Sequence, residues 1–66
     1  MAGNTRGKLK EKFEGVHRNC DWSIKHCQEA LALIGDKNPA LTKAITSLGE
    51  GIKILDELAQ DVYSKI

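Results

Sequence analysis

The second half of the chain carries an apolar residue at alternating steps of four and three. These positions are Leu41, Ile45, Leu48, Ile52, Leu55, Ala59, Val62 and Ile66. The spacing averages three and a half residues, which keeps one stripe of an α-helix facing a partner helix along its whole length. The pattern predicts a coiled-coil type of helix from about residue 39 to 65, with this stripe packed against a second helix.

The first half of the chain carries its own apolar stripe at helical spacing. Its members are Leu9, Phe13, Val16, Cys20, Ile24, Cys27, Leu31 and Ile34. At about 100° per residue these positions stay within roughly 80° of arc and form one face. We therefore predict a helix from about residue 5 to 34, capped by Asn4 or Thr5, whose stripe meets the stripe of the second helix.

The two stripes are separated by residues that end one helix and begin another. Gly35 suits the left-handed residue that ends a helix, and Asn38 followed by Pro39 suits the N-cap and first position of the next. A loop as short as 35–38 forces the flanking helices to lie antiparallel. The predicted fold is all-α, a single antiparallel two-helix hairpin covering residues 1–66.

The apolar arc of the second helix is wider than one neighbouring helix can cover. Ala44, Gly51 and Leu58 lie on one flank of its stripe, and Ile54 falls further round. We therefore predict that the hairpin self-associates, most simply as a two-fold dimer that forms a four-helix bundle, or as a higher oligomer. The predicted oligomer interface contains Leu33, Gly51, Ile54, Leu55, Leu58 and Val62.

Gly49 and Gly51 lie in the interior of the second predicted helix, where glycine is unfavourable. They project on opposite flanks of the stripe, so close approach of neighbouring backbones on both sides is the first interpretation. The alternatives are a local break or backbone surface offered to a ligand, and simple tolerance in a stable bundle.

Trp22 points about 160° away from Cys20, which places it outside the hairpin core. Leu33 lies within about 20° of the same direction. The residues predicted to form a binding surface here are Gly15, Arg18, Asn19, Trp22, Lys25 and His26. Three interpretations remain open: a second subunit contact, a protein partner, and a nucleotide or cyclic oligonucleotide held in a cationic pocket between subunits.

The net charge of +1 argues against a general nucleic-acid binder, which is normally strongly basic. The charge is uneven, however, because the first 27 residues hold six basic and three acidic side chains. A basic ridge from Arg6 to Lys25 therefore makes RNA or DNA binding a further alternative. The acidic second half and the basic first half could also attract each other, or simply solvate two faces.

Five side chains that can bind metals crowd into eleven positions. They are His17, Cys20, Asp21, His26 and Cys27. Helical geometry places Cys20 and Cys27 about 10 Å apart along the axis, and the second helix has no cysteine or histidine to complete a site, so we predict no metal. The cysteines suit core positions, and the alternatives are a thiol pair across a dimer axis or a metal assembled there from two subunits. We expect His17 to lie at the stripe's edge, with its nitrogens reaching water or a carboxylate.

No arrangement of residues typical of an enzyme is present in the sequence, and we predict neither catalysis nor a cofactor. The first residues lack the apolar segment of a secretory signal and no stretch is long enough to cross a membrane, so we expect a cytoplasmic protein with no membrane partner. The leading hypothesis is a homo-oligomeric binding or adaptor protein, of phage or mobile-element type, that engages a protein partner through the outward Trp22 face.

Overall fold

Two antiparallel helices make up the fold in the computed structural model, which describes residues 3–66. Helix α1 spans Gly3–Ile34 and helix α2 spans Pro39–Ser64. The predicted helical hairpin is confirmed, and the helix ends agree with the prediction within two residues. The predicted N-cap of the first helix is wrong, because Asn4 and Thr5 already lie inside α1.

The turn between the helices has the predicted chemistry. Gly35 adopts a φ of 60°, in the left-handed region, and its N–H donates to the carbonyl oxygen of Leu31 at 3.1 Å. Asn38 is the N-cap of α2, and its side-chain oxygen accepts from the N–H of Leu41 at 3.1 Å. Pro39 occupies the first helical position, where its missing N–H leaves no bond unmade.

Helix α1 packs on α2 through a row of half-buried residues at heptad spacing. These are Phe13, His17, Cys20, Ile24, Cys27, Leu31 and Ile34. The predicted stripe of α1 is confirmed from Phe13 to Ile34 with one change, since Val16 is exposed and His17 takes its place in the row. Leu9, the first member of the predicted stripe, is half-buried and lies on the same flank as Val16 instead of in this row. The physical reason is polar: His17 turns toward α2 because Asp56 lies opposite it and binds its ring.

Helix α2 meets α1 through a row that differs from the predicted stripe. This inner row consists of the half-buried residues Thr42, Ile45, Gly49, Ile52, Asp56, Ala59, Tyr63 and Ile66. Half of the predicted stripe belongs to it, and the other half does not face α1. The prediction failed there because it followed apolar residues only, whereas polar contacts of Asp56 and Tyr63 with α1 rotate α2 about its axis.

The remaining half of the predicted stripe lies on the exposed flank of α2. Together with Ala44, Gly51 and Leu58 beside it, it forms a second row at unbroken heptad spacing. This outer row consists of Leu41, Ala44, Leu48, Gly51, Leu55, Leu58 and Val62, all of them exposed. Helix α2 therefore carries two parallel heptad rows, and α1 covers only the inner one.

The hairpin is too extended to bury a core by itself. Its axes measure 54 × 15 × 10 Å and its radius of gyration is 15.7 Å, against about 11 Å for a compact chain of this length. It exposes 5178 Å², whereas a compact monomer of 7.3 kDa exposes about 4,200 Å². Among the residues whose side chains are described, none is fully buried.

Candidate interaction surfaces

One side of the hairpin is closed by polar contacts between the helices. Tyr63 Oη donates to Glu14 Oε1 at 3.1 Å, and Lys10 Nζ lies 5.6 Å from the centre of the Tyr63 ring. The hydrogen bond to Glu14 raises the pKa of the Tyr63 hydroxyl, with burial and the carboxylate charge adding to the effect. These residues hold the C-terminal end of α2 against α1.

A charged hydrogen bond lies further along the same side. The Nδ1–H of His17 donates to Asp56, whose two carboxylate oxygens lie 2.8 and 3.0 Å away. The bond and the charge of Asp56 raise the pKa of His17, Asp21 adds to the effect, and burial opposes it. Gln60 extends the cluster by donating from Nε2 to Asp56 at 3.5 Å. The prediction that His17 reaches a carboxylate is confirmed, although His17 lies in the contact row itself and not at its edge.

A hollow of about 300 Å³ lies beside this polar cluster. Its lining consists of Phe13, Glu14, His17, Arg18, Ala59, Gln60 and Tyr63. Arg18 and Lys25 were both predicted to line a cationic pocket. Arg18 lines this hollow, whereas Lys25 lies over the ring of Trp22. Within one hairpin, therefore, the two cations that were predicted to hold a nucleotide do not share a hollow.

The opposite side of the hairpin is apolar. The large residues of the outer row, Leu41, Leu48, Leu55, Leu58 and Val62, remain between 42% and 60% exposed. Val16 of α1 is exposed on the same side, since it projects from the flank opposite Glu14. This is a continuous apolar strip along the length of α2, of the width that a helix buries against a neighbour.

The predicted oligomer interface corresponds closely to this strip. Gly51, Leu55, Leu58 and Val62 belong to the outer row, and Ile54 projects along its edge, 57% exposed. Leu33 lies apart from them on the back of α1, where it is 85% exposed. Sequence reasoning assigned Leu41 and Leu48 to the hairpin contact instead, although alternating steps of three and four through 44, 51 and 58 also pass through 41 and 48.

The two glycines of α2 project in different directions, as predicted, and only Gly49 faces a neighbouring side chain. A Cβ built on Gly49 would lie 3.9 Å from the Cβ of Cys27, an ordinary van der Waals distance. A Cβ built on Gly51 would have no described atom, beyond its chain neighbours and the backbone of its own helix, within 4 Å. Packing inside the hairpin thus requires neither glycine, although each costs a helix interior about 1 kcal/mol relative to alanine.

Trp22 lies on the face of α1 that is turned away from α2, and it is 59% exposed. The ring of His26 stacks on it, with centres 5.7 Å apart and planes 28° apart, and Lys25 Nζ lies 5.4 Å from the indole centre. A shallow hollow of about 200 Å³ lies between Asp21, Trp22 and Lys25. We call Trp22, Lys25 and His26 the Trp22 patch.

The other predicted binding residues, Gly15, Arg18 and Asn19, precede Trp22 on α1. Asn19 is exposed one turn before Trp22. Gly15 is half-buried, and a Cβ built on it would lie 3.8 Å from an Nη atom of Arg18. The structure therefore brings together Trp22, Lys25 and His26, while Arg18 lines the hollow beside His17 and Gly15 lies next to Arg18.

The candidate metal ligands of α1 are dispersed. Cys20 and Cys27 are free thiols, half-buried in the contact with α2 as the core interpretation predicts. His17 is bound to Asp56, and His26 Nδ1 lies 3.4 Å from Glu29. Over residues 3–66, no three histidine, cysteine or carboxylate side chains converge as ligands for a metal ion.

Neither α1 nor α2 contains an apolar segment long enough to cross a membrane. A search for similar proteins among protein-family models, curated proteins and solved structures found no match.

Proposed function

We propose that this chain is a non-enzymatic, homo-oligomeric binding protein. Hairpins pack together through the outer row of α2, and the Trp22 patch engages a protein partner. The observation that supports this proposal best is the second heptad row, which is apolar along its length and which α1 leaves exposed. A sustained heptad row of this kind is covered by another helix in stable helical proteins.

The size of the exposed surface agrees with a protein–protein contact. The hairpin exposes 5178 Å², about 1,000 Å² more than a compact chain of its mass. A typical specific interface covers about 800 Å² on each partner. A broad face of 54 × 15 Å is large enough to bury that area.

Analytical ultracentrifugation across a wide range of protein concentration tests the self-association. We expect a reversible shift from one hairpin to a dimer or larger assembly as the concentration rises. A single folded hairpin at the highest concentration would contradict the proposal. Circular dichroism on the same samples separates this result from simple unfolding.

The Trp22 patch supports the partner-binding part of the proposal. Tryptophan is enriched among the residues that dominate the binding energy of protein interfaces. Lys25 lies over the indole, so a complementary partner would offer an apolar pocket for the ring with carboxylates at its rim. The chain has one tryptophan, so its fluorescence reports on this patch alone.

Tryptophan quenching distinguishes partner binding from a second subunit contact at this patch. If Trp22 is free to bind a partner, a soluble quencher reaches it equally well in the hairpin and in the assembly. Protection of Trp22 on self-association would instead assign the patch to the oligomer interface. Trp22→Ala should leave the subunit number unchanged while abolishing retention of a partner that Lys53→Ala, on the far side of α2, still binds.

A nucleotide-type ligand is the second candidate function, favoured by one observation. Lys25 and His26 flank an exposed indole, which is an arrangement that can stack on a base while a cation receives phosphate. Because Arg18 is directed toward a separate hollow, a pocket containing both cations would need residues from two subunits. Thermal stabilisation by micromolar nucleotides or cyclic oligonucleotides, lost in Lys25→Ala, would support it. No shift with a broad panel would contradict it.

A further inference from the structure

The outer row of α2 is nearly symmetric about its own midpoint. Measured from a point between residues 51 and 52, the members fall in matched pairs at equal or nearly equal distances. Leu41 pairs with Val62, Ala44 with Leu58 and Leu48 with Leu55, and Gly51 lies at the centre. In a reversed copy of this row, leucine lies opposite leucine or valine in two of the matched pairs, alanine lies opposite leucine in the third, and glycine lies opposite glycine at the centre.

We propose that two hairpins associate through α2 against α2, antiparallel, with the two-fold axis passing beside Gly51. This inference rests on the self-association proposed above and specifies its geometry. The occupant of the outer row is then the same row of a second copy, a self-complementary contact of the kind that closed dimers use.

The proposed axis explains why a glycine occupies position 51 in the interior of a helix. Since no described atom beyond its own helix and chain neighbours comes within 4 Å of a Cβ at this position, packing within one hairpin does not require glycine there. At the crossing point of two helices, however, a missing side chain lets the backbones approach closely. Leu48 and Leu55, one turn away on either side, would then pack across the axis against their matched residues.

The edge of the outer row is also compatible with an antiparallel partner. The first turn of α2 contains no acidic residue of its own to interact with the positive end of the helix dipole. Residues 40 and 61 occupy equivalent edge positions in an antiparallel pair. Asp61 of one copy would therefore lie beside the N-terminus of the other copy's α2, where a carboxylate is favourable. The same pairing places the exposed Ile54 near the axis, beside Ser47 of the second copy.

The outer row matches itself better than it matches α1. The flank of α1 on the apolar side presents Leu9, Val16, Ser23 and Ala30, which are fewer and smaller apolar residues with a hydroxyl among them. Packing of α2 against α1 of the second copy would leave much of the leucine row poorly covered. That alternative requires a two-fold axis parallel to the helices, which gives a distinct experimental result.

Distances between spin labels test the arrangement. Glu50 and Ser64 are exposed and occupy the same heptad position. Each is changed to cysteine and labelled in a Cys20→Ala, Cys27→Ala background whose subunit number matches the native chain. In the antiparallel dimer, the two labels at Ser64 lie about 40 Å apart along the axis and those at Glu50 only about 5 Å. After adding the lateral separation, we expect the Ser64 distance to exceed the Glu50 distance by roughly 20 Å.

The outcomes separate this inference from the proposal on which it rests. A dimer with equal distances at the two positions would overturn the antiparallel arrangement and leave self-association standing. A chain that stays a monomer would overturn both. A dimer with the longer distance at Ser64 supports both.

A pair of glycine variants provides an independent test. Gly51→Ala is expected to raise the dissociation constant at least tenfold, because the new methyl groups hold the two backbones apart. Gly7→Ala is the matched control, since Gly7 is also a helical glycine with no described atom, beyond its own helix and chain neighbours, within 4 Å of a built Cβ. We expect Gly7→Ala to leave the dissociation constant unchanged. Equal dissociation constants for the native chain and Gly51→Ala would contradict the position of the axis.

Discussion

Leu55→Ala removes a large side chain from the middle of the outer row. Leu55 is 60% exposed in the hairpin, so about 40% of its surface already lies against its own chain. Complete burial of a leucine side chain contributes about 1.5–3 kcal/mol, which leaves about 1–2 kcal/mol to be gained when a second copy covers it. A two-fold dimer contains two such residues. The substitution should therefore weaken association by about 2–4 kcal/mol, or roughly 30- to 700-fold in the dissociation constant.

The same substitution should have a much smaller effect on one hairpin. The share of Leu55 that is already covered corresponds to about 1 kcal/mol, and alanine favours the helix slightly more than leucine does. Sedimentation equilibrium gives the dissociation constant, and thermal unfolding at low concentration gives the stability of the single hairpin. Lys53→Ala is the control, because Lys53 is exposed on the polar flank of α2 beside Thr46. An unchanged dissociation constant in Leu55→Ala, or an equal loss in Lys53→Ala, would falsify the assignment of the outer row as the interface.

Three further predictions concern the hairpin itself. Gly35→Ala should lower the free energy of unfolding by about 1–2 kcal/mol in denaturant titrations, because its φ of 60° is unfavourable for alanine; an unchanged midpoint would contradict this. Asn38→Ala should cost about 1 kcal/mol by the same measurement, since it leaves the N–H of Leu41 without its capping bond, and retained stability would show the cap to be dispensable. The raised pKa of His17 contributes stability that is fully present below about pH 6.5 and is lost as the pH rises through the folded-state pKa. The free energy of unfolding should thus decrease across that interval in the native chain, and the decrease should be absent in His17→Gln; the same slope in both chains would assign it to other groups.

The hairpin could be predicted from the sequence because its determinants are local. Gly35, Asn38 and Pro39 mark the turn through backbone preferences that act within a few residues. The apolar stripe on each side of the turn runs along an entire helix, so the apolar spacing predicts two helices of similar length. The turn residues and the helix lengths can be predicted without knowing which face of α2 contacts α1.

The rotation of α2 about its axis could not be predicted in the same way. The predicted stripe took its members alternately from the inner and outer rows, beginning with Leu41 from the outer row and Ile45 from the inner row. The direction of the predicted stripe therefore lay between the direction of the inner row and that of the outer row. An apolar pattern averages over both neighbours when a helix has two, and the polar contact that decides the inner row, between Asp56 and His17, connects residues 39 positions apart. The spacing of apolar residues cannot predict a polar contact between two residues that far apart in the sequence.

For the Trp22 patch, the direction of the residue could be predicted from the sequence but its side-chain contacts could not. The outward direction of Trp22 followed from helical geometry, and the structure places it 59% exposed on the face away from α2. Which cation lies beside Trp22 could not be predicted, because Arg18 and Lys25 are both close enough along the helix to contact its ring. Only their side-chain conformations separate them, Lys25 over the indole and Arg18 beside the hollow near His17.

The composition of the inner row argues that folding and assembly are coupled in this chain. Its large aliphatic residues are only Ile45, Ile52 and Ile66, while glycine, alanine and polar residues fill the other positions. The hydroxyl oxygen of Thr42 is buried there without a hydrogen-bond partner among the described residues. The more strongly apolar row is the outer one. A chain of this size with so little internal burial is marginally stable alone, and covering the outer row adds the apolar contact that the inner row lacks. The midpoint of thermal unfolding should therefore rise with protein concentration, and a midpoint independent of concentration would show that one hairpin carries its stability alone.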